Sequence, residues 1–248
     1  MTSINQTVIQ TFLPLYPFEK FLALQQQLQR LRFEEKIPQV LLLATHPPCF
    51  SLGSEEIRTQ NPGKYFKLPL EKTGDMIHCN GLPVFSPRPG RGRAVTYHGP
   101  GILGCYTIFG HLPYETDDYF ELYKNMVLEI CHDYEIYPEK IDNTPDLWIG
   151  RKKIASVGVH FRTKANLVYF GFNLNVGGCL TPFDYIYPCG IKDKTLGITS
   201  LENEIGLPLD IKWVANRLSL ALKKRLAEFS LYNLDPCSLF SEIQLGQN

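Results

Sequence analysis

The sequence predicts an α+β fold. Two observations carry this: three segments with clean helical periodicity stand far apart in the chain, and the strand-like runs between them cluster rather than alternate with helices. The regular βαβ succession of a doubly wound α/β fold is missing.

In chain order, Thr7 to Leu13 reads as a strand, followed by a helix from about Phe18 to Phe33 with Phe18, Phe21, Leu22, Leu28 and Leu31 on one stripe. Gln39 to Ala44 is a second strand. Residues 58 to 91 hold many Gly, Pro and charged residues and read as a long surface loop. Ala94 to Tyr97 and Leu103 to Phe109 are strand-like. A second helix runs from about Asp118 to Tyr134, with Tyr119, Leu122, Tyr123, Met126, Val127 and Ile130 at i, i+3, i+4 spacing. Leu147 to Ile149, Lys153 to Phe161 and Asn166 to Asn175 are strands, the last two joined as a hairpin through Arg162-Thr163-Lys164-Ala165. A third helix runs from about Asp210, a fitting N-cap, to Phe229. No repeat or linker interrupts the chain, so residues 1–248 are expected to form one domain.

Composition excludes several classes. Net charge is zero, which disfavours a dedicated nucleic-acid binder. The longest apolar runs fall short of the roughly 18 residues a membrane span needs. No basic residue precedes Lys20, as a signal or transit peptide requires, so the cytoplasm is expected. The seven cysteines are scattered, without C-x-x-C, which suggests neither a disulfide framework nor zinc. The histidines lack metal-ligand spacing. Gly99 to Gly104 fits G-x-G-x-x-G, but a strand-like run follows where a dinucleotide site needs a helix.

Three segments can carry chemistry. Arg91-Gly92-Arg93-Ala94-Val95-Thr96-Tyr97-His98 enters a Gly-Pro-Gly turn, and a histidine there either faces a cleft or is structural. Lys153 leads into an apolar strand, where partial desolvation suits it to proton transfer, although turn lysines are commonly solvated. Cys189, between Pro188 and Gly190, is held in a loop. A nearby cation would lower its thiol pKa; it is otherwise one loop cysteine of seven.

Together these segments resemble the lipoyl(octanoyl) transferase family, whose motifs run R-G-G-x-V-T-Y-H-G-P-G, K-I-A-S-x-G, A-L-N-V-N and P-C-G. Order and spacing agree over about residues 38 to 205, including His46-Pro47-Pro48, Leu174-Asn175-Val176, Pro182-Phe183 and Thr199-Ser200-Leu201. The resemblance implies the two-sheet fold with flanking helices of biotin and lipoate protein ligases. It implies transfer of an octanoyl group from octanoyl-acyl carrier protein, through a thioester on Cys189, to a lysine of a lipoyl domain. Those domains belong to 2-oxoacid dehydrogenase complexes and the glycine cleavage protein. Catalytic roles fall on Cys189 and Lys153. Lys153 would act either as a cation that lowers the thiol pKa or, when neutral, as a proton acceptor.

Substrate contacts implied by the resemblance fall on Arg91, Gly92, Arg93, Ala94, Val95, Thr96, Tyr97 and His98. They also fall on Ser156, Val157 and Gly158, and on Gly171, Phe172 and Asn173. No cofactor or metal is implied, and the family suggests a monomer. The carrier is acidic, so Arg88, Arg91, Arg93, Arg151, Lys152, Arg162 and Lys164 form a candidate docking patch. An ATP-dependent lipoate or biotin ligase, or a non-catalytic acyl- or lipoyl-binding relative, would share the fold. The first would need a nucleotide loop and no nucleophilic cysteine.

Six departures from the family pattern fall on its motifs. Arg93 replaces a glycine, Ile102 a frequent glutamine, Phe170 a histidine and Asn173 an alanine. Gly177 and Cys179 replace the later Asn and Asp. The chemistry therefore transfers more directly than the acyl length.

Overall fold

The computed structural model describes residues 6–53, 55, 61, 63–86, 94–110, 116–141, 144–162, 167–190, 192–193 and 195–245. Its framework is a mixed sheet with helices on both faces and a smaller sheet at one end.

Strand β1 (Thr7–Leu13) leads to helix α1 (Phe18–Phe33), then to β2 (Gln39–Ala44), which pairs parallel to β1. After β3 (Cys49–Ser51) comes a three-stranded meander, β4 (Leu70–Thr73), β5 (Met76–Cys79) and β6 (Leu82–Phe85). This overturns the expectation of a long loop over residues 58 to 91. The signal was Asn80-Gly81: both residues have positive φ, 47° and 76°, which fits a two-residue turn whose twist suits a hairpin. Gly74, at φ 61°, opens the preceding two-residue turn. The order β4-β5-β6-β3-β7, with β7 at Thr96–His98, makes the smaller sheet.

The large sheet continues with β8 (Ile102–Gly110). Helix α2 (Thr116–His132), β9 (Glu139–Lys140), β10 (Leu147–Ile149), β11 (Lys152–Val157), β12 (His160–Arg162) and β13 (Leu167–Asn175) follow. The strand expected over Lys153 to Phe161 is thus two strands. It breaks where Gly158 N–H turns to donate to Gly171 C=O at 2.8 Å. Beyond lie β14 (Gly197–Ile198), α3 (Leu201–Ile205), α4 (Ile211–Arg225), β15 (Ser230–Asn233) and α5 (Pro236–Leu245). Asp210 caps α4 by accepting Lys212 N–H at 2.8 Å.

Among the described residues the main path is β15-β1-β2-β8-β13-β11-β10-β9, with β12 on β13 and β14 on β11. Strand β8 is buried along its whole length, and its alternation explains why. Leu103, Cys105 and Phe109 face a core shared with α2 and α4. Tyr106 and Ile108 face another shared with α1 and α5. A third cluster, with Phe50, Val95, Tyr97, Ile102 and Phe183, joins the smaller sheet to the segment before Cys189. No helix among the described residues is long and apolar enough to cross a membrane.

Candidate active site

Lys153 enters β11 from a turn in which Gly150 takes φ 55°. Strand pairing sets it opposite Trp148 on β10 and Ile198 on β14. Its side chain is 2% exposed, and Nζ lies 3.0 Å from Asp146 Oδ2, whose own side chain is 4% exposed. A β-bulge between Leu147 and Trp148 interrupts the β10–β11 register beside this aspartate. Asp146 is tied at its other oxygen, where Oδ1 accepts Val157 N–H at 3.2 Å. Its backbone N–H donates to Thr144 Oγ1 at 3.0 Å. Asn175 Nδ2 donates to the carbonyls of Lys153 and Thr199, at 3.3 and 2.9 Å, and fixes β14 against β11.

Cys189 lies in the short 3-10 turn Pro188–Gly190. The approach is pinned by residues before the meander. Phe66 forms a β-bridge to Ile186. Tyr187 N–H donates to Tyr65 C=O at 2.7 Å, and Lys67 N–H to Tyr185 C=O at 2.8 Å. Gly190 closes the turn at φ 77°, against the Tyr65 ring and Ala94. Strand β7 runs beside it. Lys153 and Pro188 line one cavity of about 70 Å³, with Lys67, Trp148, Phe183 and Asp184 among the other walls.

His98, at the end of β7, is buried, with Nε2 2.8 Å from Ser51 Oγ. Its ring packs 4.5 Å from Phe18 and 5.6 Å from His46. Tyr97 points into the smaller-sheet core, 5.2 Å from the Phe183 ring, and burial pushes its hydroxyl up to about 12. Ala94 and Val95 are buried just before β7, and Thr96 opens that strand half-buried. Arg91, Gly92 and Arg93 lie outside the described residues, as do Arg88 and Lys164.

Period-two alternation divides the remaining expected contacts. Ser156 pairs with Asn173, which pairs with Gly104, so these three share one sheet face. Gly171, opposite Tyr106, belongs to that face. Val157 and Phe172 pair on the other, in the core with α2, where Phe172 lies 6.2 Å from the Tyr123 ring. Gly158 follows Val157 outside the strand, half-buried. Tyr106 O–H donates to Asn173 Oδ1 at 3.3 Å and lies 3.4 Å from His46 Nε2. His46 Nδ1, 2.7 Å from Tyr16 C=O, must be the donor there, because a carbonyl only accepts. Arg151 and Lys152 are exposed, and Arg151 is paired to Asp193 at 3.1 Å. Among the described residues no three His, Cys, Asp or Glu side chains gather as metal ligands.

Asp146 and Ser51 were missed by sequence reasoning. Neither carries a periodic or motif signal, and each meets its partner only through the pairing of neighbouring strands, β10 with β11 and β3 with β7.

Comparison with known proteins adds to this geometry. Residues 17–223 match the family model of the lipoyl protein ligase A/B catalytic domain. The chain is 29% identical over 223 residues to an octanoyltransferase of Dictyoglomus thermophilum, covering 88% of each chain. It is 32% identical over 203 residues to an octanoyltransferase of Chloroflexus aggregans, covering 80% of this chain and 86% of that protein. Among solved structures, a lipoate-protein ligase A bound with ATP superposes with a TM-score of 0.66 at 12% identity, over 98% of this chain and 95% of that one. A bipartite lipoate protein ligase from Thermoplasma acidophilum superposes with a TM-score of 0.64 at 12% identity, over 99% and 93%. The two-sheet α+β fold is therefore that of the lipoate protein ligases.

Proposed function

The chain belongs to the lipoyl protein ligase A/B catalytic domain family and is an acyltransferase, and from that premise we propose that it moves an octanoyl group from acyl carrier protein to a lipoyl-domain lysine through a thioester on Cys189. The observation that carries this reading is the cavity shared by Lys153 and the turn that holds Cys189.

In the first half-reaction the Cys189 thiolate attacks the thioester carbonyl, the new C–S bond replaces the old one, and the carrier thiol leaves with a proton. In the second half-reaction the lysine amine of the lipoyl domain attacks the Cys189 thioester, the amide forms, and the Cys189 thiol is regenerated. Lys153 carries the proton between thiol and amine; a positioned acid/base group contributes typically 10²- to 10⁴-fold. The buried Asp146 carboxylate, 3.0 Å from Lys153 Nζ, supplies a counter-charge and supports the reading of Lys153 as the cation beside the thiolate. The donor thioester is already activated, so this route consumes no nucleotide, in contrast to a ligase. Acceptors are lipoyl domains of 2-oxoacid dehydrogenase complexes and of the glycine cleavage protein. The whole chain acts as one catalytic domain in this reading.

The test is direct. The protein is mixed with octanoyl-acyl carrier protein without ATP, and its intact mass is measured. One added octanoyl group, lost in Cys189→Ser, is the expected result; an unmodified wild-type protein overturns the proposal. Arg151 and Lys152 are offered as part of the carrier's docking surface. A carrier KM that does not rise with salt removes them from it.

A further inference from the structure

Lys67 is an exposed residue in the wall of the cavity that Lys153 and Pro188 share. Its backbone N–H donates to Tyr185 C=O, which fixes it beside the segment leading to Cys189. Its ammonium lies 5.1 Å from the centroid of the half-buried Tyr187 ring. Lys192, exposed just beyond the Pro188–Gly190 turn, places a second ammonium 5.8 Å from the same centroid. The two charges therefore stand no further apart than those two distances laid end to end.

Other charges around this cavity are balanced. Lys153 is paired to Asp146 at 3.0 Å, and Asp193 to Arg151 at 3.1 Å. Lys67 and Lys192 form no ion pair among the described residues, and Asp184, exposed on the same wall, is bonded to neither. The face of an aromatic ring attracts a cation. Two cations drawn to one ring also repel each other, and an anion between them turns that repulsion into attraction.

Resting on the transfer reading above, we infer that Lys67 and Lys192, held at Tyr187, receive an acidic side chain flanking the target lysine of the acceptor protein, and so select which lysines are acylated. The acceptor amine has to reach Lys153 in the cavity, and it sits at the end of a four-carbon stem. The residues on either side of that lysine then stand at the exposed wall, where Lys67 and Lys192 are. A carboxylate there meets two cations. It also offsets the repulsion between these cations and the incoming lysine ammonium. The thioester donor fits less well: the pantetheine arm of an acyl carrier protein is uncharged next to its sulfur, and its phosphodiester stays the length of the arm outside.

The probes are versions of one lipoyl domain from a 2-oxoacid dehydrogenase complex, with Glu or with Gln at both positions flanking the target lysine. The protein is loaded with octanoyl-acyl carrier protein, and the two acceptors then compete for the acyl group. The wild-type protein is expected to prefer the Glu version about 5-fold in kcat/KM, the scale of two exposed ion pairs, and less so at high salt. The preference is expected to vanish in Lys67→Gln/Lys192→Gln and to turn toward an Arg-flanked version in Lys67→Glu/Lys192→Glu. A ratio between two acceptors is unmoved by a merely structural loss of activity. Equal use of the Glu and Gln versions by the wild-type protein overturns the inference. So does a preference that survives in Lys67→Gln/Lys192→Gln; slower loading of that variant would then assign the cations to the carrier. If the double variant fails to fold, the same ratio in Lys67→Gln and in Lys192→Gln decides. A wild-type protein that octanoyl-acyl carrier protein does not load defeats the transfer reading and this inference with it.

Discussion

The Glu202 carboxylate fills the space that a side chain at Gly177 would need: a Cβ there would lie 1.8 Å from Oε2. Glu202 accepts Gly178 N–H at 3.1 Å and Leu209 N–H at 2.9 Å, so it ties the end of β13 to the loop before α4. The glycine that stands where the family pattern has Asn thus leaves room for this carboxylate. Restoring Asn in Gly177→Asn should displace the carboxylate and cost about 2 kcal/mol, since hydrogen bonds to charged groups contribute roughly 1.5–3 each. Combining it with Glu202→Ala should cost less than the sum of the two single changes. Denaturant midpoints of the four proteins measure this, and strict additivity would show that the residues are uncoupled.

A second cycle concerns the buried pair. Asp146→Asn removes the carboxylate from Lys153 while keeping an acceptor for Val157 N–H, and leaves a buried cation without that counter-charge. Breaking such a pair typically costs 3–5 kcal/mol. Adding Lys153→Met should return most of that stability, because no charge then remains to be desolvated. Activity should stay lost, by at least about 10²-fold, if Lys153 serves in proton transfer. Thermal unfolding and acyl-transfer rates on the same samples separate the two effects; recovery of activity in the double variant would remove Lys153 from the chemistry.

Local pattern made much of the framework legible. Strands Thr7–Leu13, Gln39–Ala44 and Leu147–Ile149 and helix Phe18–Phe33 fall where periodicity put them, because each buries one stripe or one continuous run. The meander was hidden because Leu70–Thr73 and Met76–Cys79 are short strands, the first mostly exposed and the second mostly half-buried, without a clear apolar face. Their Gly74 and Asn80-Gly81 turns were the readable part. The site divides likewise. Lys153 and Cys189 stood out through motifs, whereas Asp146 becomes visible only when strand pairing brings it beside Lys153.

Thiol chemistry offers a test tied to pH. Cys179 is exposed, and its thiol is held below the usual range by hydrogen bonds from the Thr181 hydroxyl and backbone. Burial instead pushes Cys131 up to about 12 and Cys105 higher still. The thiolate is the species that reacts. A lowered thiol therefore begins to alkylate at a lower pH than an ordinary cysteine, and a raised one stays inert across the neutral range. Iodoacetamide near pH 7 should label Cys179 while Cys105 and Cys131 remain unlabelled until the fold opens, as peptide mass would record. Equal labelling of Cys179 and Cys131 in the native protein would contradict this. Any alkylation test of Cys189 should accordingly be run in a Cys179→Ser background.

The turn that carries Cys189 can be strained without touching the cysteine. Gly190 sits at φ 77°, and an added Cβ would approach the Tyr65 ring to 3.0 Å and Ala94 Cβ to 3.4 Å. Gly190→Ala therefore combines a left-handed backbone penalty of about 1–2 kcal/mol with crowding. The cheapest relief is to shift the Pro188–Gly190 turn, which moves Cys189 relative to Lys153. Gly74, at φ 61° in the β4–β5 turn, has open space around it: an added Cβ would meet nothing within 4 Å. Gly74→Ala therefore imposes a similar backbone penalty far from the cavity. Both variants should unfold at slightly lower denaturant. Gly190→Ala alone should lose kcat, by about 10-fold or more, since a displacement of 1 Å can cost 10²-fold. If Gly74→Ala loses as much, the loss reflects general destabilisation, and the turn does not set the position of the cysteine.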